Sequence, residues 1–321
     1  MQALIYALAI VLAAETRAVA PPDTSASPPA DSVAAGAPFT LRDRGVVVPG
    51  GDGRGQVLDP SGLVVDAFGR IYVADATLNR VLRLEPDGRT LWEAGTLGSD
   101  PGQLRRPGSV ALLGTLSLAV LDVENRRIVA YDLFGRLLGV TLDLGDPQLI
   151  DSQGRVDALA LAADRGGALF VVDGDRDRLL AFDFSGRFRR AIGGFGARPG
   201  SFRGLRAVAL APRGELVTTE RLSARVQRLD ADGRSIASWP LPVLRGRGAL
   251  PVAVDDSGRV AVAEESSGLL WVFDRTGTLL ARLGGLGHPR ALAFAPDGAL
   301  LVAETQPGRV RRFTLEPAAR E

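Results

Sequence analysis

The chain contains no cysteine and no lysine, and it has a single histidine, His288. Without cysteine there is no disulfide, thiolate metal site, iron–sulfur cluster or thiol nucleophile. Without lysine there is no Schiff-base chemistry and no P-loop lysine, and all 38 basic side chains are arginine. One imidazole excludes any site that needs two. No stretch keeps a helical period, so solenoids of helix pairs and Rossmann-type folds fit poorly. Charge is nearly balanced, at +1, which argues against nucleic acid as the main partner. Much catalytic chemistry is therefore gone before any motif is read.

What remains is a 321-residue chain, 46% hydrophobic, long enough for one large domain or two ordinary ones. A chain of this size can bury roughly 75% of its unfolded surface, so core size is not limiting. Residues 3–14 form an uncharged apolar run, too short to span ~30 Å of hydrocarbon as a helix. Ala18-Val19-Ala20 follows as a small-x-small site, then Pro21-Pro22. The segment 1–20 reads as a secretory signal peptide cut after Ala20. An uncleaved anchor is the alternative, because only the terminal amine precedes the run as a positive charge. With no cysteine after the run, a lipoprotein anchor is excluded. An exported chain without cysteine suits a bacterial envelope, periplasmic or extracellular, with no transmembrane span in the mature chain. Residues 21–38 are a Pro/Ala/Ser tract without large apolar residues, read as a disordered linker. A folded domain is expected over 39–317, with a tail at 318–321.

Self-similarity is the strongest signal. From Pro60 to Gly95 four short β-rich runs follow one another: Ser61–Asp66, Arg70–Asp75, Asn79–Leu84 and Leu91–Gly95, separated by turn residues. The second run recurs with an acidic end at Asp75, Asp122, Asp173, Glu220, Glu264 and Glu304, at intervals of 40 to 51 residues. The third run recurs after Arg80, Arg127, Arg178, Arg225, Gly268 and Arg309, and turn glycines follow at Gly88, Gly135, Gly186, Gly233 and Gly277. Four strands per period of 40–50 residues is the mark of a propeller blade. The expected fold is all-β, a six-bladed β-propeller of four antiparallel strands per blade. The glycine-rich run Gly193-Gly194-Phe195-Gly196 leads into no helix and reads as a blade linker, not a nucleotide loop.

These repeats resemble the NHL-repeat family, six-bladed propellers whose blades carry a Pro-x-Gly-apolar-x-Val-Asp, Ile-Tyr-Val-Ala-Asp, Asn-Arg-Val and Asp-Gly pattern. Pro60 to Gly95 matches nearly all of it, and the Asn-Arg pair survives as Asn79-Arg80 and Asn125-Arg126. The resemblance implies the fold and, by analogy, an interaction platform; it implies no activity.

The sixth repeat offers only three strands before Glu316-Pro317. Upstream of the first repeat, Asp43-Arg44-Gly45-Val46-Val47-Val48 resembles a turn plus outer strand, so residues 45–49 are expected to complete the last blade and remove its open edge.

Aligning the repeats puts Ser61, Gly108, Asp157, Arg206, Pro251 and Arg290 at the start of the inner strands, where they rim the channel, with His288 just before. The candidate ligand-binding residues are Ser61, Asp157, Arg206, His288 and Arg290. Arg206 and Arg290 can clamp a carboxylate, phosphate or acidic side chain; the plainer reading pairs Asp157 with Arg206. The six strand-end carboxylates can take Ca²⁺ through oxygen ligands. Alternatively each serves its own hairpin or the following arginine (Asp75 with Arg80, Asp173 with Arg178, Glu220 with Arg225, Glu304 with Arg309), at ~0–1 kcal/mol per surface pair. His288 can act as a base, but its Gly-His-Pro setting is a turn without an orienting acid. Asp173-Gly174-Asp175-Arg176-Asp177 has a calcium-loop flavour but reads as a hairpin. The triplets Arg187/Arg189/Arg190 and Arg309/Arg311/Arg312 read as solvated outer strands. The expectation is a binding scaffold without catalytic residues, metal or cofactor, monomeric, with a protein, peptide or glycan partner in the cell envelope. The alternative is a metal-dependent hydrolase or lactonase resembling the gluconolactonase-like propellers, against which the mouth offers only Asp157. A lyase resembling the peptidylglycine amidating propellers would need several histidines.

Overall fold

The computed structural model describes residues 37–242, 244 and 247–318, the Asp151 side chain excepted. The expected signal peptide, nearly all of the expected linker, and the tail beyond Ala318 lie outside the described residues.

Six four-stranded antiparallel sheets form the ring. Blade 1 is β2 (Pro60–Val65), β3 (Ile71–Asp75), β4 (Arg80–Leu84) and β5 (Thr90–Ala94). Blade 2 is β6 (Pro107–Leu113), β7 (Ser117–Asp122), β8 (Arg127–Asp132) and β9 (Leu137–Asp143). Blade 3 is β10 (Ala158–Ala163), β11 (Leu169–Asp173), β12 (Arg178–Phe182) and β13 (Phe188–Gly193). Blade 4 is β14 (Leu205–Leu210), β15 (Leu216–Glu220), β16 (Arg225–Leu229) and β17 (Ser235–Pro240). Blade 5 is β18 (Val252–Val254), β19 (Val260–Glu264), β20 (Leu269–Phe273) and β21 (Leu279–Leu283). Blade 6 is β22 (Pro289–Phe294), β23 (Leu300–Glu304), β24 (Arg309–Pro317) and, from the other end of the chain, β1 (Phe39–Val48). The inner strands β2, β6, β10, β14, β18 and β22 neighbour one another around the channel.

The core is distributed between blades. Ile71 and Val73 pack with Ala293 and Leu301 of blade 6, while Tyr72 and Ala74 of the same strand pack with Leu118 and Val120 of blade 2. A second strand is thus covered on both faces, which is why it reads as a continuous apolar run and not as an alternation. All five residues of β3, β11, β15, β19 and β23 are buried.

The closing strand is longer than Val46–Val48. It pairs with β24 from Phe39↔Pro317 to Val48↔Val310 and bulges between Asp43 and Val46. Gly45 takes φ +94° there, and its N–H donates to Asp43 Oδ1 at 2.8 Å. Asp43-Arg44-Gly45, which has the look of a turn, is therefore a bulge inside one strand. Leu41 enters the blade 5–6 core and Val48 the blade 6–1 core. Closure also corrects the reading of Arg311. With β1 outside it, β24 is not an outer strand, and Arg311 is buried against the Phe313 ring and paired with Asp43.

One short helix, α1 (Pro147–Gln153), occupies the linker into blade 3. Asp146 caps it by accepting from the N–H groups of Gln148 and Leu149, Pro147 opens it, and Leu149 is buried in the blade 2–3 core. Among the described residues no helix is long and apolar enough to cross a membrane.

Candidate functional site

The linkers between blades and the turns joining second to third strands share one face of the ring. The six strand-end carboxylates lie just beneath it, all fully buried. Asp75 accepts from Leu58 N at 2.8 Å, Asp59 N at 3.2 Å, and Thr77 and Leu78 N at 3.0 Å. Asp122 accepts from Arg105 N at 2.7 Å, Asn125 Nδ2 at 2.7 Å and Arg127 Nε at 2.9 Å. Asp173 accepts from Asp157 N at 3.1 Å and Arg178 Nε at 2.9 Å. Glu220 accepts from Arg203 N at 2.8 Å, Arg225 Nε at 2.7 Å and Gln227 Nε2 at 2.7 Å. Glu264 accepts from Ser267 Oγ at 2.7 Å and meets Arg221 at 3.3 Å. Glu304 accepts from Gly287 N at 2.7 Å and Arg309 Nε at 2.6 Å. Five of the carboxylates tie their hairpin to the linker that enters their own blade; at blade 5 the neighbouring Glu265 takes the linker N–H of Ala249, and Glu264 meets Arg221 of blade 4.

Two corrections follow. These are buried groups, so surface-pair energies do not apply to them. Arg80 does not pair with Asp75: its guanidinium meets Glu93 at 2.8 Å and donates to Gly53 O at 2.8 Å and Gln56 O at 2.9 Å. The third-strand arginines repeat that grip, Arg127 on Gln103 O, Arg178 on Gln153 O and Arg225 on Ser201 O. The turn residue before them reaches the next blade. Asn79, at φ +53°, accepts from Arg106 N at 2.8 Å, and Asp177, at φ +49°, accepts from Leu205 N at 2.6 Å. The run Gly193–Gly196 is a blade linker folded on buried Phe202, with Phe202 N on Gly194 O.

The channel encloses about 830 Å³. Ser61, Gly108, Arg206, Pro251 and Arg290 line it; Asp157 and His288 do not. Ser61 Oγ is held by Ala74 O at 3.2 Å and Pro107 O at 2.5 Å. Arg290 meets Glu265 at 3.5 Å. No ion pair joins Asp157 to Arg206 among the described residues. Burial pushes the Asp157 carboxyl up, Asp175 and Asp173 add to this, and the Arg206 charge opposes it. Arg206 makes no hydrogen bond or ion pair among the described residues, and its Nε is buried without an acceptor. His288 stands at φ +54° in its turn, its N–H on Leu286 O at 3.2 Å.

Repeat alignment missed Arg106, Glu124 and Glu265, which also line the channel, and Asp59 beside it. Burial raises the pKa of Asp59, with Arg290 opposing, and its Oδ1 has no partner. Glu265 follows the ring residue Glu264 directly, and Arg106 precedes the Pro that opens β6. Position next to a repeated residue was the available signal.

Oxygen ligands for Ca²⁺ do not converge here. Among the described residues no three His, Cys, Asp or Glu side chains are grouped to hold an ion. The ring carboxylates are taken up by N–H, hydroxyl and guanidinium donors.

The ring is similar to solved six-bladed propellers. A streptogramin B lyase matches at TM-score 0.58 and 12% identity, covering 87% of this chain and 98% of that one. Virginiamycin B lyase from Staphylococcus aureus matches at TM-score 0.57 and 12% identity, covering 88% and 90%. A calcium-binding protein, regucalcin, from Agrobacterium tumefaciens matches at TM-score 0.60 and 14% identity, covering 88% and 96%. At such identities the likeness is one of fold. No family model matches the chain, and no curated protein matches it in sequence.

Proposed function

We propose that the protein is an exported, non-catalytic binding scaffold that seats an anionic group of its partner, a carboxylate or a phosphate, at the channel mouth on Arg206. One observation carries this reading: a guanidinium with no hydrogen bond or ion pair among the described residues, its Nε buried, lines an 830 Å³ cavity. Leaving a buried donor unsatisfied costs about 1–3 kcal/mol, so an anion arriving there gains a charge-assisted hydrogen bond at little competing cost. Arg290 and Arg106, held only by long contacts to Glu265 and Glu124, can turn toward the same anion. The Pro60–Gly95 pattern supports placing the chain near the NHL-type propellers, and the apolar run 3–14 with Ala18-Val19-Ala20 supports export to the periplasm or beyond.

Thermal unfolding in inorganic phosphate or succinate tests the site. Ligand that binds only the native state raises Tm with concentration. The full chain should show this rise, and Arg206→Gln should abolish it. An equal rise in both proteins would remove the mouth as the anion site. Stoichiometric Ca²⁺ in the purified protein would reopen the hydrolase reading.

A further inference from the structure

We infer that the arc of the mouth built by the linker into blade 4 docks an acidic peptide segment that carries one large apolar side chain. The inference rests on the mouth being a binding site and names its partner class.

The linker Gly194–Arg206 carries Arg198, Arg203 and Arg206 and no carboxylate. Arg198 and Arg203 are exposed, and among the described residues neither makes an ion pair. Two apolar side chains stand beside them in solvent, Phe195 at 73% and Leu222 at 69% exposure. The group is contiguous. The Arg203 guanidinium lies 5.8 Å from the Phe195 ring centroid, and Leu222 N donates to Arg203 O at 3.1 Å. Gly204 approaches Leu222 so closely that a Cβ there would meet its Cγ at 2.8 Å. Arg221, next in the chain to Leu222, reaches Gly248 O at 3.1 Å and Ala249 O at 3.2 Å, which holds the loop bearing exposed Arg247 alongside. Cations flanking two apolar anchors match an acidic strand with an apolar residue between its charges. The charges would set orientation and association rate, the anchors the dissociation rate.

The adjoining arc has the other net sign. The linker and turn of blade 3 carry exposed Asp146 and Asp175 and half-buried Asp157, against exposed Arg155 and Arg176. A flat anionic bilayer resting on this face would press those carboxylates against its headgroups. A peptide covers one arc only and is steered away from the acidic one, so the observations favour a peptide over a membrane.

The test is fluorescence anisotropy of a short fluorescein-labelled peptide of Asp and Glu with one central Leu, against the same peptide with Ser in its place. Full-length protein should bind the Leu peptide more tightly, with affinity falling as salt rises. The double substitution Phe195→Ser, Leu222→Ser should weaken the Leu peptide roughly tenfold, to the level of the Ser peptide. Both side chains are exposed, so Tm should not move, which keeps a loss of binding distinct from unfolding. Equal binding of the two peptides, or an unaffected double variant, would overturn the inference. So would phosphatidylglycerol vesicles that outcompete the Leu peptide and depend on the same two residues. If the double variant loses the peptide but keeps the phosphate-induced rise in Tm, the docking arc stands beside the Arg206 site. If Arg206→Gln keeps that rise while the double variant loses the peptide, the Arg206 reading fails and the arc stands.

Discussion

The closing strand can be tested one side chain at a time. If only residues 45–49 closed the ring, the chain before them would contribute little. The structure instead buries Leu41 to 2% exposure in the blade 5–6 core, six residues earlier than Val47, and leaves Val46 at 50%. Leu41→Ala removes buried methyl groups and leaves a cavity among residues on opposite sides of the seam, at a cost of about 2–5 kcal/mol. Val46→Ala removes a half-exposed side chain and should cost no more than about 0.5 kcal/mol. For a domain of this size each kcal/mol moves Tm by about 2 °C, so Leu41→Ala should melt roughly 4–10 °C lower and Val46→Ala within about 1 °C of the parent. Near-UV circular dichroism reads the melting, and a urea midpoint at 25 °C checks that the change is one of stability. A lower midpoint at unchanged m-value is expected, because both variants expose the same surface on unfolding. Equal Tm values for the two substitutions would refute a seam that begins at Phe39.

Three further outcomes follow from the same geometry. Glu220→Leu strips three donors, including the Arg225 guanidinium, of a buried acceptor, and should cost about 3–5 kcal/mol, whereas Glu220→Gln, which keeps an acceptor, should cost less; urea unfolding of both decides it. Gly88→Ala should lower Tm, because Gly88 holds φ +89° and a Cβ there would run into Val47 O of the closing strand, while Gly214→Ala, at φ +79° with open space around it, should cost only the backbone strain. Slight burial pushes the Asp274 carboxyl up, but hydrogen bonds from the Thr276 hydroxyl and the N–H groups of Thr278 and Thr276 outweigh it and hold its pKa at about 2. A folded pKa below the unfolded one contributes stability above the unfolded value and loses it as pH falls through the folded value. The Tm gap between the parent and Asp274→Asn should therefore be constant above about pH 4 and close as pH falls toward 2; a gap that persists unchanged at pH 2 would refute it.

The blades were legible because their signal is repeated six times. Acidic strand ends, third-strand arginines and turn glycines recur at one period, and only a ring of four-stranded sheets uses all three together. The single-copy features were not legible in the same way. Phe39–Asp43 has no repeat register, and Gly45 mimics a hairpin turn, so only residues 45–49 of the seam were read as the closing strand. The cap of α1 was readable as Asp146-Pro147, but seven residues are too few to show a helical period. Arg206 and Arg290 were placed at the channel by repeat alignment. The same alignment placed Asp157 there as well, and it is not among the residues that line the cavity. Partners contributed by neighbouring turns, such as Glu265, have no repeat register and stayed out of view.

The division between repeated and unrepeated residues also locates function. A side chain present in every blade has six similar surroundings, and here five of the six carboxylates join a hairpin to a linker, while Glu264 meets Ser267 and Arg221. A group occupied by protein donors has less to offer a ligand, so specificity is expected from positions where the blades differ. Those positions are the linkers. One is acidic and helical before blade 3; one is basic and flanked by exposed Phe195 and Leu222 before blade 4. Sixfold symmetry supplies rigidity and cancels direction, and the unequal linkers restore it by giving the mouth a positive and a negative side. On the proposed reading a partner would be selected by its own charge asymmetry, with its anionic group directed to Arg206, which has no hydrogen bond or ion pair among the described residues.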